Sequence, residues 1–91
     1  MAESARQTVA VTNPQGFHMR PMQAFVEAAA RFAGTVSVMR QGKPAVNGKS
    51  MLGLLGLVAE QGTELVIEVT GPNAANELKV LIEVFERNFD D

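Results

Sequence analysis

Hydrophobic residues along this chain recur with two periods, and each change of period marks a new element. Leu65, Ile67 and Val69 alternate with Glu64, Val66, Glu68 and Thr70, the spacing of a strand with one buried face. Val36 and Val38 alternate with Thr35 and Ser37 in the same way, and the short β-branched run from Thr8 to Val11 predicts a first strand. Elsewhere the spacing is helical. Met22, Phe25, Val26, Ala29 and Phe32 or Ala33 predict an amphipathic helix from Met19 to about Phe32, with Gly34 as its stop. Leu78, Leu81, Ile82, Phe85 and Phe89 predict another from Ala74 to about Asn88, after the Gly71-Pro72-Asn73 break.

The intervals between these segments fill in the rest. Arg40-Gln41-Gly42-Lys43 reads as a turn and Ala45-Val46 as the start of a return strand, which Pro44 assigns to a sheet edge because proline cannot donate to a ladder. Asn47-Gly48-Lys49-Ser50 opens an apolar run from Met51 to Val58 interrupted by Gly53 and Gly56. Each internal glycine costs a helix about 1 kcal/mol relative to alanine, so one short helix with exposed apolar residues is expected there. The order β-α-β-β-α-β-α predicts an α+β fold, an open-faced sandwich whose four-stranded antiparallel sheet is covered on one face by three helices. No repeat or linker divides the chain, and residues 1–91 are read as a single domain.

Composition narrows the chemistry. With 46% hydrophobic residues the chain can form a modest core, and with no cysteine and one histidine it has no disulfide, thiol nucleophile or Cys/His zinc site. No run approaches the roughly 18 uninterrupted apolar residues of a membrane span, and the expectation is a cytoplasmic protein without membrane insertion. Net charge is −2, but the halves differ: residues 1–50 carry six basic residues against two acids, and residues 51–91 carry two against eight. If folding preserves that division, the basic half attracts acidic partner proteins. A dense basic cluster with interleaved Trp or Tyr is missing, which argues against nucleic acid as a partner.

The one histidine lies in Gly16-Phe17-His18-Met19-Arg20-Pro21, between a turn-rich loop and the first helical pattern. His18 is therefore a candidate N-cap. A helix start presents unpaired N–H groups and positive potential, so an anion carried on His18 would be held there. The same potential disfavours imidazolium and favours a neutral nucleophile. Arg20 adds a planar donor set suited to phosphate oxygens, and Pro21 falls in the first turn, where its missing N–H costs nothing. No acid lies between Glu3 and Glu27 to act beside His18 in hydrolysis. A serine-histidine-acid triad is not supported, because the only aspartates are Asp90 and Asp91.

Gly48-Lys49-Ser50 invites comparison with a nucleotide-binding P-loop, but five residues separate Gly42 from Gly48 where the motif has four, and Pro44 is among them. Ser50 has a simpler role as N-cap of the short helix. Phosphorylation there would add about −1.5 to −2 charge next to Lys49 and beside any docking surface. Met51, Leu52 and Leu55 on that helix, with Phe17 and Met19 near the histidine, are candidate docking residues.

Together these residues resemble HPr, the histidine-containing phosphocarrier family of the bacterial phosphoenolpyruvate-dependent sugar phosphotransferase system. The resemblance rests on Gly16-Phe17-His18-Met19-Arg20-Pro21 and Lys49-Ser50-Met51-Leu52-Gly53 in that order, and runs from about Gln7 to about Arg87. It implies that His18 accepts a phosphoryl group on Nδ1 from phosphorylated enzyme I and passes it to a sugar-specific enzyme IIA, with Arg20 stabilising it. It also implies that Ser50 matches a regulatory serine, modified in some bacteria by an HPr kinase/phosphorylase, and that the protein is a monomeric carrier without metal or cofactor rather than a stand-alone catalyst. Met19 and Met22 are larger than the residues usual at those positions, and the Lys43 to Ser50 segment is one residue longer than common. Two alternatives keep the fold and change the role: a regulatory, nitrogen-type transfer module that moves no sugar, and a binding module controlled through Ser50.

Overall fold

The computed structural model describes residues 3–87. Its elements are β1 (Glu3–Ala10), α1 (Met19–Ala30), β2 (Thr35–Arg40), β3 (Val46–Asn47), α2 (Met51–Leu55), β4 (Glu64–Gly71) and α3 (Ala74–Arg87). The strands form one antiparallel sheet in the order β1-β4-β2-β3. The strand with the cleanest alternation thus lies between two neighbours, and the proline-flanked return strand is at the edge.

Alternation decides which face is covered. Leu65, Ile67 and Val69 of β4 are fully buried, as is Val38 of β2, and Val36 of β2 and Val9 of β1 are buried beside them. Beneath them pack Met22, Phe25 and Ala29 of α1 and Leu78, Leu81, Ile82 and Phe85 of α3. Removing each large apolar side chain from water contributes about 1.5–3 kcal/mol, so both long helices are held chiefly by their apolar stripes. The other face stays open, and there Arg6 of β1 sits opposite Glu68 of β4 and pairs with it at 2.9 Å, while Ser4 Oγ donates to the same carboxylate at 3.1 Å. This open-faced α+β sandwich is the predicted fold.

Two elements, β1 and α1, have bounds that differ from expectation. β1 begins at Glu3 and ends at Ala10, before Val11. Its first half is polar because it lies at a sheet edge and pairs through backbone groups, from Glu3 opposite Gly71 onward. α1 ends at Ala30, short of Phe32, and closes with a tighter turn in which the Arg31 and Phe32 N–H groups donate to the Ala28 and Ala29 carbonyls. α3 is described as far as Arg87, and the expected continuation through Asn88 and Phe89 lies outside the described residues. Among the described residues, no helix is long and apolar enough to cross a membrane.

Candidate functional site

The loop from Thr12 to Phe17 carries the histidine to the start of α1. Asn13 folds it back: its Oδ1 accepts the Gln15 N–H and its carbonyl accepts the Gly16 N–H, both at 2.8 Å, an Asx turn of the kind asparagine makes readily. Gly16 then takes φ 74°, and a Cβ there would lie 2.6 Å from the Ala59 carbonyl oxygen. Only glycine fits both the conformation and the close approach. The next residue fixes the loop to its neighbour, with the Phe17 N–H donating to that same Ala59 oxygen at 2.8 Å.

His18 is the N-cap of α1, as expected, with extended backbone at φ −90° and ψ −173°. Its carbonyl accepts the Met22 N–H at 3.0 Å, but its side chain makes no capping bond. Instead Nδ1 lies 3.0 Å from the Gly16 carbonyl oxygen. A carbonyl only accepts, so in this contact Nδ1 carries a proton and donates it to Gly16. Use of Nδ1 as the nucleophile requires that contact to open.

The helix start itself remains available. No acid occupies the first turn, Pro21 is buried there, and Arg20 is exposed. Positive potential, uncapped N–H groups and a guanidinium are therefore not already taken up by a carboxylate, an arrangement suited to an anion attached to the imidazole.

The expected docking residues separate into two groups. Met19, Leu52 and Leu55 are exposed at 58%, 82% and 47%. Phe17 is not a surface residue as expected: it is 5% exposed, with its ring edge-on to Phe25 at 6.0 Å and tilted against Phe85 at 5.4 Å. Burial of the ring anchors the loop, so Phe17 supports His18 from below. Met22, singled out for its size, is also core, and Met51 is half-buried against it. Beside the loop, Pro14, Phe17, Leu54, Leu55 and Glu60 contribute to a shallow groove of about 430 Å³.

Ser50 caps α2 as predicted, its Oγ accepting the Gly53 N–H at 3.1 Å. Lys49 turns away from it and donates to the Phe32 carbonyl at 2.8 Å, so the expected lysine beside a Ser50 phosphate is engaged elsewhere. Arg40 and Lys43 likewise point at backbone carbonyls, those of Leu57 and Val58 for Arg40 and that of Gly56 for Lys43. Much of the charge in the basic half is thus used internally. Sequence reasoning also missed Val58, which is 55% exposed and holds φ 50°. A β-branched residue in the left-handed region is strained, by about 1–3 kcal/mol. Nothing in its residue type signals that conformation.

With this geometry in view, the chain is similar to known proteins over most of its length. Residues 5–87 match the family model described as PTS HPr component phosphorylation site. The phosphocarrier protein HPr of Treponema pallidum (strain Nichols) is 34% identical over 84 residues, covering 92% of this chain and 94% of that protein. The phosphocarrier protein NPr of Escherichia coli (strain K12) is 30% identical over 88 residues, 97% of this chain and 98% of that one. Among solved structures, HPr-C-His from Thermoanaerobacter tengcongensis superposes with a TM-score of 0.87 at 29% identity, covering 96% of this chain and 97% of its own.

Proposed function

The chain belongs to the HPr family of phosphocarriers of the phosphotransferase system, and from that premise we propose that His18 carries the phosphoryl group. The observation supporting this assignment is the start of α1, where the imidazole follows a fixed loop and the first turn has neither a side-chain cap nor an acid. In the transfer, a ring-nitrogen lone pair forms a bond to phosphorus as the bond from phosphorus to the donor breaks. Acceptance at Nδ1 needs the proton shared with Gly16 to leave and the ring to turn from that carbonyl. Arg20 and the first-turn N–H groups then hold the phosphoryl oxygens. Donor and acceptor enzymes supply orientation and exclude water.

On this reading phospho-enzyme I is the donor and an enzyme IIA the acceptor, with the carrier working in the cytoplasm as a single-domain monomer spanning residues 1–91. Met19, Leu52 and Leu55 provide apolar docking contacts, and Ser50 is the point at which an HPr kinase/phosphorylase modifies them. The test is intact-protein mass and phosphorus NMR after incubation with phosphoenolpyruvate and the cognate enzyme I. One acid-labile phosphoryl group, absent in His18→Ala, is the expected result; equal labelling of both proteins would rule out His18.

Similarity to a phosphocarrier named NPr as well as to one named HPr favours a second reading. The same chemistry would then serve a regulatory, nitrogen-type branch. Offering the labelled carrier to sugar-specific and regulatory IIA proteins from the same cell separates the two by which of them drains the label.

A further inference from the structure

We propose that Arg40 is a positioning residue for phosphoryl acceptance, acting on His18 through the segment from Leu57 to Ala59. Arg40 ends β2 and is half-buried. One of its nitrogens, Nη1, donates to the Leu57 carbonyl at 2.8 Å and to the Val58 carbonyl at 2.7 Å. Lys43 Nζ adds a longer contact of 3.4 Å to the Gly56 carbonyl. Two cations from the β2–β3 turn thus meet three consecutive carbonyls just beyond α2. Among the described residues, no carboxylate is within ion-pair distance of Arg40, so its charge is directed at those carbonyls.

That clasp falls where the backbone needs one. Val58 holds φ 50° although its side chain is 55% exposed, so packing of the side chain does not enforce the conformation. Its neighbours Leu57 and Ala59 are buried, at 1% and 9% exposure. The strained residue is therefore held from both sides, by two buried neighbours and by the guanidinium on its own carbonyl and the one before it.

The next carbonyl is the one the histidine loop uses. Ala59 accepts the Phe17 N–H at 2.8 Å and sits so close to Gly16 that a Cβ there would be 2.6 Å from it. If Val58 relaxes to negative φ, the peptide joining it to Ala59 rotates, the acceptor for Phe17 moves, and His18 shifts at the mouth of α1. Arg40 prevents that relaxation without touching the imidazole. This inference rests on the proposed role of His18, and on no feature of Arg40 toward a partner.

The experiment compares Arg40→Met with the native residue in two backgrounds, the native chain and Val58→Gly. Glycine adopts positive φ without strain, so it removes the need for the clasp. In the native background, Arg40→Met is expected to lower kcat/KM for acceptance from the cognate phospho-enzyme I about tenfold, in line with the cost of misplacing a reacting group. The Phe17 amide should exchange its proton faster. In the Val58→Gly background the same substitution should cost less than about twofold and leave Phe17 protection unchanged. If Arg40→Met alone fails to fold, the Val58→Gly pair still decides, because equal rates support the clasp and a tenfold gap overturns it. Equal loss in both backgrounds, or no loss in either, also overturns it. Phe17 exchange is read without any phosphoryl donor, and the His18→Ala labelling test stands apart, so failure of the His18 assignment is distinguishable from failure of the clasp.

Discussion

The starts of α1 and α2 are built from similar parts and finished differently. Each places a residue able to carry phosphate at the N-cap, His18 on one and Ser50 on the other. At α2 the cap is closed, because Ser50 Oγ already accepts the Gly53 N–H. At α1 the cap is open, because the His18 ring turns back to the Gly16 carbonyl. An open cap leaves donors for an incoming phosphoryl group, whereas a closed cap uses its hydroxyl for stability and must give up or rearrange that bond when modified. Length reinforces the difference, since α1 has 12 residues and α2 only 5.

The largest effect that sharpens this contrast is at His18. His18→Ala should abolish acid-labile phosphorylation yet change stability by less than about 0.5 kcal/mol, because no side-chain capping bond is lost; denaturant unfolding beside the labelling assay checks both halves. Next is Arg20. Arg20→Gln should slow phosphoryl acceptance about tenfold, or about 1.4 kcal/mol of lost contact to the transferring group, with unaltered unfolding. A rate equal to that of the native protein would show that the open cap alone holds the anion.

Ser50→Ala should behave in the opposite sense. Loss of the cap is expected to cost about 1 kcal/mol and lower Tm by about 4–8 °C, while His18 labelling stays within about twofold of native. If Ser50→Ala left Tm unchanged, the distinction between closed and open caps would collapse.

The smallest effect lies on the open sheet face, away from both helix starts. Arg6 foremost, then Ser4, hydrogen-bond Glu68 and hold its carboxyl below its ordinary value of 4.5. A lowered folded value means that the pair's stabilisation is present above 4.5 and is lost as pH falls through the folded value. The Arg6 side chain is 64% exposed, so solvent screens the pair and the effect is small. The stability difference between native and Arg6→Gln should therefore be present at neutral pH and vanish on acidification, with no change in labelling of His18. A difference that persists in acid would mean that Arg6 acts through packing instead.

How much of this was legible in the sequence depends on what kind of force sets each feature. The buried residues of β2 and β4, the stripes of α1 and α3, the edge position of β3 and the Ser50 cap were readable because burial imposes a period and capping a residue type. The first half of β1 was not, because backbone pairing to β4 leaves no apolar signature. The depth of Phe17 was hidden for another reason: it stands alone in sequence between a turn and a helix, and its ring meets Phe25 and Phe85 from two different helices. The inward aim of Arg40 and Lys49 was equally out of reach, since their acceptors are carbonyls distant in sequence. For the site, His18, Arg20 and the helix start could be read locally, but the Ala59 carbonyl that carries the loop could not.

The contact between His18 Nδ1 and the Gly16 carbonyl also gives the empty carrier a label of its own. If His18 takes the phosphoryl group on Nδ1 as proposed, that atom no longer donates, so loading frees the Gly16 oxygen from the side chain, though it still accepts the His18 backbone N–H at 3.0 Å. On that assignment the oxygen accepts two hydrogen bonds in the empty carrier and one in the loaded carrier. That difference is written on a main-chain atom, which no side-chain substitution can remove.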